Sequence, residues 1–191
     1  MPAYNVEQYI GRAIESCLSQ TYKNLELCIV DDSSTDYTWD VICSYPDPMI
    51  KANGLAKHGG CPHANNRAFE IAGGEIMARL GSDDWDDPTR IEKSVAALTA
   101  DPSRPLVSCR MYWVYPDGRQ MEWTKSGGMI LEDYVANKSR PVNASIVAFR
   151  EVYEKVGDYN EEMRAGSDGD WNFRALAHYK QWQFIDEYLY Y

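Results

Sequence analysis

The densest group of acidic side chains in the sequence follows directly on a short apolar segment. Asp83 and Asp84 come after residues 76–80, and Asp86 and Asp87 follow them. Adjacent carboxylates repel each other unless a cation or hydrogen bonds compensate their charge. Hard divalent cations such as Mg²⁺ and Mn²⁺ bind one or two carboxylates and complete their shell with substrate phosphates. The group therefore predicts either a metal site for a phosphorylated ligand or an acidic turn that only caps the next helix.

These acids stand where a strand is expected to give way to a helix. Residues 76–80 have the composition of a buried strand, and Asp87-Pro88 is typical of an N-cap with proline at the first helical position. Asp31 and Asp32 follow a second apolar segment, residues 25–30, in the same way. Ligands of open α/β sheets bind at the carboxyl ends of the strands. Both acid pairs are therefore expected at a ligand-binding edge.

The order of elements predicts a parallel, helix-covered sheet up to residue 104 and a different pattern beyond Pro105. Residues 1–5 predict a turn, and the alternation that follows is typical of βα units in series. Two apolar segments around Pro116-Asp117-Gly118 predict a hairpin. The predicted strands are 25–30, 49–52, 76–80, 106–115, 120–124, 144–149 and 183–185. The predicted helices are 6–18 with Asn5 as N-cap, 37–45, 63–72, 88–98, 129–136, 152–156 and 171–182.

Length and composition indicate one globular domain and argue against some partners. With 191 residues, 45% of them hydrophobic and 25% charged, the chain can bury a core of its own. The formal net charge of −10 argues against a nucleic-acid surface, which needs clustered Lys and Arg. In the sequence no apolar segment approaches the roughly 18 residues of a membrane span. Five cysteines without C-x-x-C spacing predict free thiols in a reducing, cytoplasmic compartment.

Several short motifs occur in one order along nearly the whole chain. The first is Pro2-Ala3-Tyr4-Asn5, and Val30 to Asp36 follows it after residues 11–22. The later motifs are Gly60 to Asn66, Gly74-Glu75-Ile76, Leu80 to Asp84 with Pro88, and Gly166 to Arg174. In this combination and spacing, the chain resembles the family-2 glycosyltransferases with the GT-A fold.

The resemblance implies a fold, a division of the chain and an activity. The fold is α/β, with a Rossmann-like, mostly parallel central sheet flanked by helices and a smaller antiparallel, acceptor-side portion. One domain covers residues 1–191, with 1–104 as the nucleotide-sugar-binding half and 105–191 as the acceptor-side half. The implied activity is metal-dependent, inverting transfer from a nucleoside-diphosphate sugar, most often a UDP-sugar, to a hydroxyl of a saccharide or glycoconjugate. The implied pathway is polysaccharide or glycoconjugate synthesis.

The resemblance also assigns roles to individual residues. The residues implied in nucleotide binding are Pro2, Ala3, Tyr4, Asp31, Asp32, Asn65 and Ser82. A divalent ion, Mn²⁺ or Mg²⁺, is implied at Asp83 and Asp84. Asp168 is the implied catalytic base, and Asp170 is the second choice because the local register can shift. As an alternative, these last two acids only complement the dipole of the helix that follows them.

Two departures from the family pattern affect acidic positions. Gly81 stands where the family has the first acid of its D-x-D motif, so Asp84 or water must take over the contacts of that acid. Ser167 stands where a glutamate usually precedes the base. Such losses favour an alternative function, a sugar-nucleotide-binding module without turnover. The retained acids Asp83 and Asp168 favour the transferase.

A third departure removes a positive charge. Asn65 replaces an arginine that often approaches the nucleotide in this family. Three nearby residues remain as candidates to supply the cation, namely Lys57, Arg67 and Arg79.

The aromatic residues and the two ends lead to further expectations. Trp113, Trp123 and Trp171 are candidates for stacking on a sugar, with burial in the core as the alternative. The family has an apolar strand before the motif at Pro2, and a tail beyond residue 191. We therefore expect a fragment of a longer protein, for which peripheral association with a membrane stays open.

Overall fold

The computed structural model describes residues 1–123, 130–163 and 165–191. Its strands are β1 (Pro2–Ala3), β2 (Leu27–Asp31), β3 (Ile50–Gly54), β4 (Ile76–Ala78), β5 (Leu106–Val114), β6 (Gln120–Glu122), β7 (Val147–Phe149) and β8 (Gln183–Tyr190). Its helices are α1 (Ile10–Leu18), α2 (Thr38–Cys43), α3 (Cys61–Ile71), α4 (Arg90–Ala100), α5 (Leu131–Val135), α6 (Arg150–Val156) and α7 (Ser167–Tyr179). Each predicted element has a counterpart, while Thr124 and Met129 of the predicted elements lie outside the described residues.

The first three strands form a parallel sheet in the order β1-β2-β3. Strand β2 pairs with β3 from Leu27, opposite Ile50, to Asp31, opposite Gly54. The predicted turn at residues 1–5 is wrong in part, because Pro2 and Ala3 pair in parallel with β2. Backbone pairing explains the difference, since the Asp32 N–H donates to the Ala3 carbonyl at 2.8 Å. The sheet brings Asp31 and Asp32 to its carboxyl edge.

The other five strands form a mixed sheet, in the order β4-β7-β5-β6 with β8 also paired to β5. The pairs β4–β7, β5–β7 and β5–β6 are antiparallel, and β5–β8 is parallel. The hairpin prediction is confirmed, since Tyr112 lies opposite Glu122. Strand β4, expected in the parallel sheet, pairs with β7 instead. A cavity of about 640 Å³ lies between β2 and β4 and is lined by residues that include Cys28 and Ala78.

Two helices begin later than the sequence predicts. Helix α1 begins at Ile10, and Asn5 is not its N-cap, because Asn5 Oδ1 accepts a hydrogen bond from the Thr35 N–H at 2.8 Å. Asp87 likewise accepts a bond from the Thr89 N–H at 2.8 Å, in a turn ahead of helix α4. Both side chains therefore shape loops instead of capping helices.

Two clusters of buried side chains form most of the core. One contains Ile10, Ile14 and Ile29, which join α1 to β2. The other surrounds Trp171, which is 0% exposed and donates its indole N–H to the Gly157 carbonyl at 3.0 Å. Trp171 is therefore a core residue and not a sugar platform. Among the described helices, none has both the length and the apolar character needed to cross a bilayer.

Candidate functional site

A cleft of about 1680 Å³ runs between the carboxyl edge of the parallel sheet and the amino-terminal end of helix α7. Four of the residues singled out in the sequence line it together: Asn65, Asp83, Asp84 and Asp168. The cleft therefore joins residues that are far apart along the chain. The other predicted site residues do not line it, namely Pro2, Ala3, Tyr4, Asp31, Asp32, Ser82 and Asp170.

The acid pair after β2 organises the loops next to it. Asp32 is 1% exposed, and its two carboxylate oxygens accept hydrogen bonds from the N–H groups of Gly59 (2.9 Å) and Gly60 (2.7 Å). Asp31, also buried, accepts a bond from the Ser34 hydroxyl at 2.5 Å. A carboxylate that accepts several strong hydrogen bonds orders the loop that donates them. Asp32 thus acts on the cleft through the loop at Gly59 and Gly60, which line it.

Tyr4 is the part of the amino-terminal motif that presents an exposed side chain beside the cleft. Pro2 and Ala3 belong to β1, and Ala3 is buried. The Tyr4 ring is exposed and lies 4.0 Å from the imidazole of His58, centroid to centroid. His58 lines the cleft and pairs with Asp32 at 2.9 Å. The two rings pack against each other at an interplanar angle of 32°, and the exposed Tyr4 ring is a surface on which a nucleobase can stack.

The second acid pair follows β4 and is largely open. Asp83 is exposed, and within the described residues its carboxylate takes part in no hydrogen bond or ion pair. Asp84 is half-buried and accepts one bond, from the Tyr190 hydroxyl at 2.6 Å. Burial raises the pKa of Asp84 to about 6, with Asp83 adding to the shift and the bond from Tyr190 opposing it. Ser82, between Gly81 and Asp83, is buried.

Tyr190 and Gly81 together set the position of Asp84. The Tyr190 hydroxyl also accepts a bond from the Gly81 N–H at 3.0 Å. A Cβ at position 81 would collide with the Asp84 carboxylate, which occupies the space beside the glycine. Sequence reasoning missed Tyr190, because 106 residues separate it from Asp84. The aromatic run Leu189-Tyr190-Tyr191 carried no signal for this contact.

The segment after the acid pair is attached to the end of β8 and to helix α4. Trp85 and Tyr191 exchange backbone hydrogen bonds of 2.9 Å in both directions. Asp86 forms a fully buried ion pair with Arg90 at 2.7 Å. Burial raises the pKa of Asp86 to about 6, and the charge of Arg90 opposes this shift. The segment that directly follows Asp83 and Asp84 is therefore held in place by contacts with β8 and α4.

The two acids at the start of α7 differ in their surroundings. Asp168 is exposed, and in the described parts of the chain no side chain or backbone donor bonds to its carboxylate. Asp170 pairs with Arg174 at 2.9 Å. Arg174 also donates to the carbonyls of Val156 and Asp158, so the pair links α7 to the end of α6. Asp170 therefore has a structural partner, while Asp168 is free to act on a ligand.

Cations and indoles complete the wall of the cleft. Arg79 Nη2 donates to Asn65 Oδ1 at 3.3 Å, which brings a guanidinium to the position where the sequence lacks an arginine. Arg12 lies over the Trp85 ring at 3.5 Å. Trp113 is 49% exposed and its ring lies 6.1 Å from that of Trp123.

The donor set fits a metal ion that depends on its ligand. No group of three or more His, Cys, Asp or Glu side chains within the described residues is arranged to hold a metal ion. Asp83 and Asp84 offer acidic oxygens at one point of the cleft. Mg²⁺ and Mn²⁺ sites with one or two carboxylates are completed by water and substrate phosphates. The residues present therefore fit an ion that arrives with a phosphorylated ligand.

Comparison with known proteins was made for sequence and for fold. The sequence profile described as "Glycosyl transferase family 2" matches residues 1–157. The chain is 45% identical over 117 residues to the Escherichia coli UDP-Glc:alpha-D-GlcNAc-diphosphoundecaprenol beta-1,3-glucosyltransferase WfaP, covering 60% of this chain and 45% of that protein. It is 34% identical over 187 residues to an uncharacterized glycosyltransferase of Rickettsia typhi, covering 92% of this chain and 57% of the relative. The chain thus spans about half the length of these relatives.

Solved structures share the fold at lower sequence identity. S. aureus TarS in complex with UDP-GlcNAc superposes with a TM-score of 0.82 at 22% identity, over 100% of this chain and 56% of that chain. The mannosyltransferase PcManGT from Pyrobaculum calidifontis, in complex with GDP-Man and Mn²⁺, superposes with a TM-score of 0.68 at 22% identity, over 98% and 53% of the two chains. The resemblance seen in the sequence motifs is confirmed, and so is the α/β fold class. The chain belongs to glycosyl transferase family 2 and has the GT-A fold.

Proposed function

We propose that the chain transfers a sugar from a UDP-sugar to a hydroxyl of a saccharide or glycoconjugate, with inversion at the anomeric carbon. One observation carries the proposal. The same cleft holds an open acid pair, Asp83 and Asp84, and a second open carboxylate, Asp168, from the far end of the chain. Like charges in one cleft repel each other, and of these three acids only Asp84 accepts a hydrogen bond within the described residues, so a cationic ligand would stabilise the group.

The choice of a uridine nucleotide has two supports. The name of the E. coli relative specifies UDP-Glc, and TarS was solved with UDP-GlcNAc. At the cleft, the exposed ring of Tyr4 beside His58 offers a stacking surface for a base. The loop at Gly59 and Gly60, held by Asp32, lies next to this surface. The base therefore sits at the end of the cleft formed by residues that follow β1, β2 and β3.

The diphosphate is held at the second acid pair. Asp83 and Asp84 would bind the divalent ion together with the phosphate oxygens. The ion, when bound, supplies positive charge that neutralises the departing diphosphate. Tyr190 fixes Asp84, and Asp83 supplies the carboxylate that no other group of the described residues engages. The PcManGT structure, which contains Mn²⁺, supports a metal on this fold.

Asp168 acts as the general base. Its carboxylate accepts the proton of the acceptor hydroxyl while that oxygen forms a bond to the anomeric carbon and the bond from this carbon to the diphosphate breaks. The acceptor proton becomes acidic as the new bond forms, so an ordinary carboxylate suffices. Trp113 and Trp123 line the cleft and offer a stacking surface for the acceptor sugar. No covalent intermediate with the enzyme forms.

Calorimetric titration of UDP tests the donor site. We expect the wild-type chain to bind UDP more tightly with Mn²⁺ than with EDTA, and Asp83→Ala to lose the gain from the metal. Asp40→Ala is the matched control, because Asp40 is an exposed acid on α2, away from the cleft. A gain from Mn²⁺ that survives in Asp83→Ala would contradict the assigned metal site.

A measurement of turnover distinguishes an enzyme from a module that only binds the sugar nucleotide. Hydrolysis of the UDP-sugar, or its transfer to an added acceptor, is measured for the wild type and for Asp168→Asn. A positioned base contributes about 10² to 10⁴-fold in rate, so we expect a loss of that size with UDP affinity unchanged. Asp170→Asn should retain more activity than Asp168→Asn. UDP binding without turnover by the wild type, across donors and acceptors, would instead favour the sugar-nucleotide-binding module.

A further inference from the structure

We propose that the guanidinium of Arg79 is the anion-binding cation of the cleft and that it contacts the diphosphate of the donor nucleotide. The inference rests on the proposed function and names a residue of that site. Arg79 directly follows β4, next to the segment that carries Gly81 to Asp84. It lines the cleft together with Asn65.

Neutral partners hold the guanidinium in place. Nη1 donates to the Tyr159 hydroxyl at 3.0 Å, and Nη2 donates to Asn65 Oδ1 at 3.3 Å. The guanidinium also lies 4.9 Å from the centroid of the Tyr159 ring. Asn65 is itself oriented, because its Nδ2 donates to the Cys61 carbonyl at 2.9 Å. The orientation of Arg79 is therefore set before any ligand binds.

The positive charge of Arg79 has no counter-ion among the residues that the structure describes. Arg67, Arg90 and Arg174 each pair with an acid, at 2.9, 2.7 and 2.9 Å respectively. Arg79 makes no ion pair within the described residues, and its bonds go to a phenol and an amide. In a chain of net charge −10, a half-buried arginine with only neutral partners is an uncompensated charge beside a cleft. Such a group is stabilised by an anionic ligand, and a guanidinium binds phosphate oxygens in a bidentate manner.

The location of the charge matches the departure seen in the sequence. Asn65 stands where the family often has an arginine, and the Arg79 side chain reaches the Asn65 amide itself. Arg79, which follows β4, thus supplies a cation at the point where helix α3 lacks one. Arg12 also lines the cleft, but it is exposed to water and lies over Trp85. Water weakens the attraction between Arg12 and an anion, so Arg79 is the stronger candidate.

The test compares ligands that contain the diphosphate, the nucleoside or both. Calorimetric titrations of UDP, uridine and inorganic pyrophosphate are made with the wild type, Arg79→Met and Arg79→Lys. Charge-assisted hydrogen bonds imply a loss of about tenfold to hundredfold for UDP and pyrophosphate in Arg79→Met. Uridine affinity should not change, and Arg79→Lys should lie between the two. Arg67→Met is the matched control, since it removes a cation from α3 outside the cleft and should leave all three affinities unchanged.

A charge swap provides the sharper measurement. Asn65→Arg combined with Arg79→Met moves the cation from the residue after β4 to α3, and we expect it to recover UDP affinity to within about threefold of the wild type. Circular dichroism melting of each variant verifies folding. If Arg79→Met does not fold, Arg79→Lys carries the test, because it should weaken binding of UDP and pyrophosphate and leave uridine affinity unchanged.

The outcomes separate this inference from the proposed function. UDP affinity that is unchanged in Arg79→Met, or an equal loss for UDP and uridine, overturns the inference and leaves the donor proposal standing. A wild type that binds pyrophosphate through Arg79 but not UDP keeps the anion site and overturns the choice of nucleotide. A wild type that binds none of the three ligands overturns both.

Discussion

Two turns of this molecule contain a pair of adjacent aspartates after a strand, and the protein uses them differently. Asp31 and Asp32, after β2, accept hydrogen bonds from backbone and side-chain donors of their own and neighbouring loops. Asp83, after β4, takes part in none within the described residues, and Asp84 accepts one from Tyr190. A carboxylate that accepts hydrogen bonds from the protein fixes the loops that donate them, whereas a carboxylate without such bonds can bind a ligand. The same dipeptide thus serves stability at one turn and, in our proposal, chemistry at the other.

The largest expected effect is a contrast in stability between the two turns. Asp32→Ala leaves the N–H groups of Gly59 and Gly60 without their acceptor, and each such loss costs about 1–3 kcal/mol. We expect a total loss of about 3 kcal/mol, which lowers Tm by about 6–12 °C in a chain of this size. Asp83→Ala should leave Tm unchanged in the absence of metal. Thermal melting in EDTA measures both, and equal losses would remove the distinction between the turns.

A smaller effect is expected at the hydrogen bond from Tyr190 to Asp84, which is the internal bond of the open pair within the described residues. Tyr190→Phe removes the hydroxyl shared by Gly81 and Asp84, and we expect a loss of about 1–2 kcal/mol in stability. Metal-dependent UDP binding should weaken about threefold to tenfold, because Asp84 is no longer held. Calorimetry and melting are compared with Tyr188→Phe, which removes a hydroxyl from the same strand outside the cleft. Equal behaviour of the two variants would mean that Tyr190 has no particular effect on the site.

Gly81→Ala tests whether the open pair needs the space beside the glycine. The new methyl group would meet the Asp84 carboxylate, which must then move. We expect UDP binding with Mn²⁺ to weaken about threefold and binding in EDTA to stay as it is. Adding Asp84→Ser to Gly81→Ala removes the collision, so the alanine should then cause no further loss of UDP affinity. An effect of the alanine that persists in the Asp84→Ser background would contradict this explanation.

The smallest effect concerns the loop that Asp32 holds. Cys61 is exposed directly after Gly60, so its alkylation rate reports on the order of that loop. We expect Asp32→Ala to change the alkylation rate of Cys61 about twofold to threefold and Asp83→Ala to leave that rate unchanged. Cys17 is an internal reference, because burial raises its pKa to about 12. At pH 8 the Cys17 thiol therefore stays protonated and unmodified. Mass spectrometry of labelled peptides measures both sites.

Much of the fold could be predicted from local pattern. The period of apolar residues placed seven helices and seven strands, each of which has a counterpart in the structure. The errors occurred where backbone pairing or loop contacts decided the outcome. Pro2 and Ala3 join a sheet because β2 offers free backbone groups, and Asn5 bonds to Thr35 because that loop lies beside it. Neither partner is visible in a local window of sequence.

For the candidate site too, some features could be predicted from the sequence and others could not. Asp83 and Asp84 were identified in the sequence, because adjacent acids at the end of an apolar segment carry a local signal, and Asp168 was identified through the resemblance to the family. Their meeting in one cleft, the bond from Tyr190 to Asp84 and the contact of Arg79 with Asn65 were not. These contacts depend on which strands lie side by side.

The sequence by itself determined the family, the order of the elements and the presence of acid pairs after apolar segments, because those properties depend on residues close together in the chain. Only the tertiary structure decided which acids remain open. Asp32 and Asp83 have equivalent positions in the sequence, and the difference between them lies in the donors that other segments bring within 3 Å. Hydrogen-bond donors act over such short distances that only the folded chain selects them.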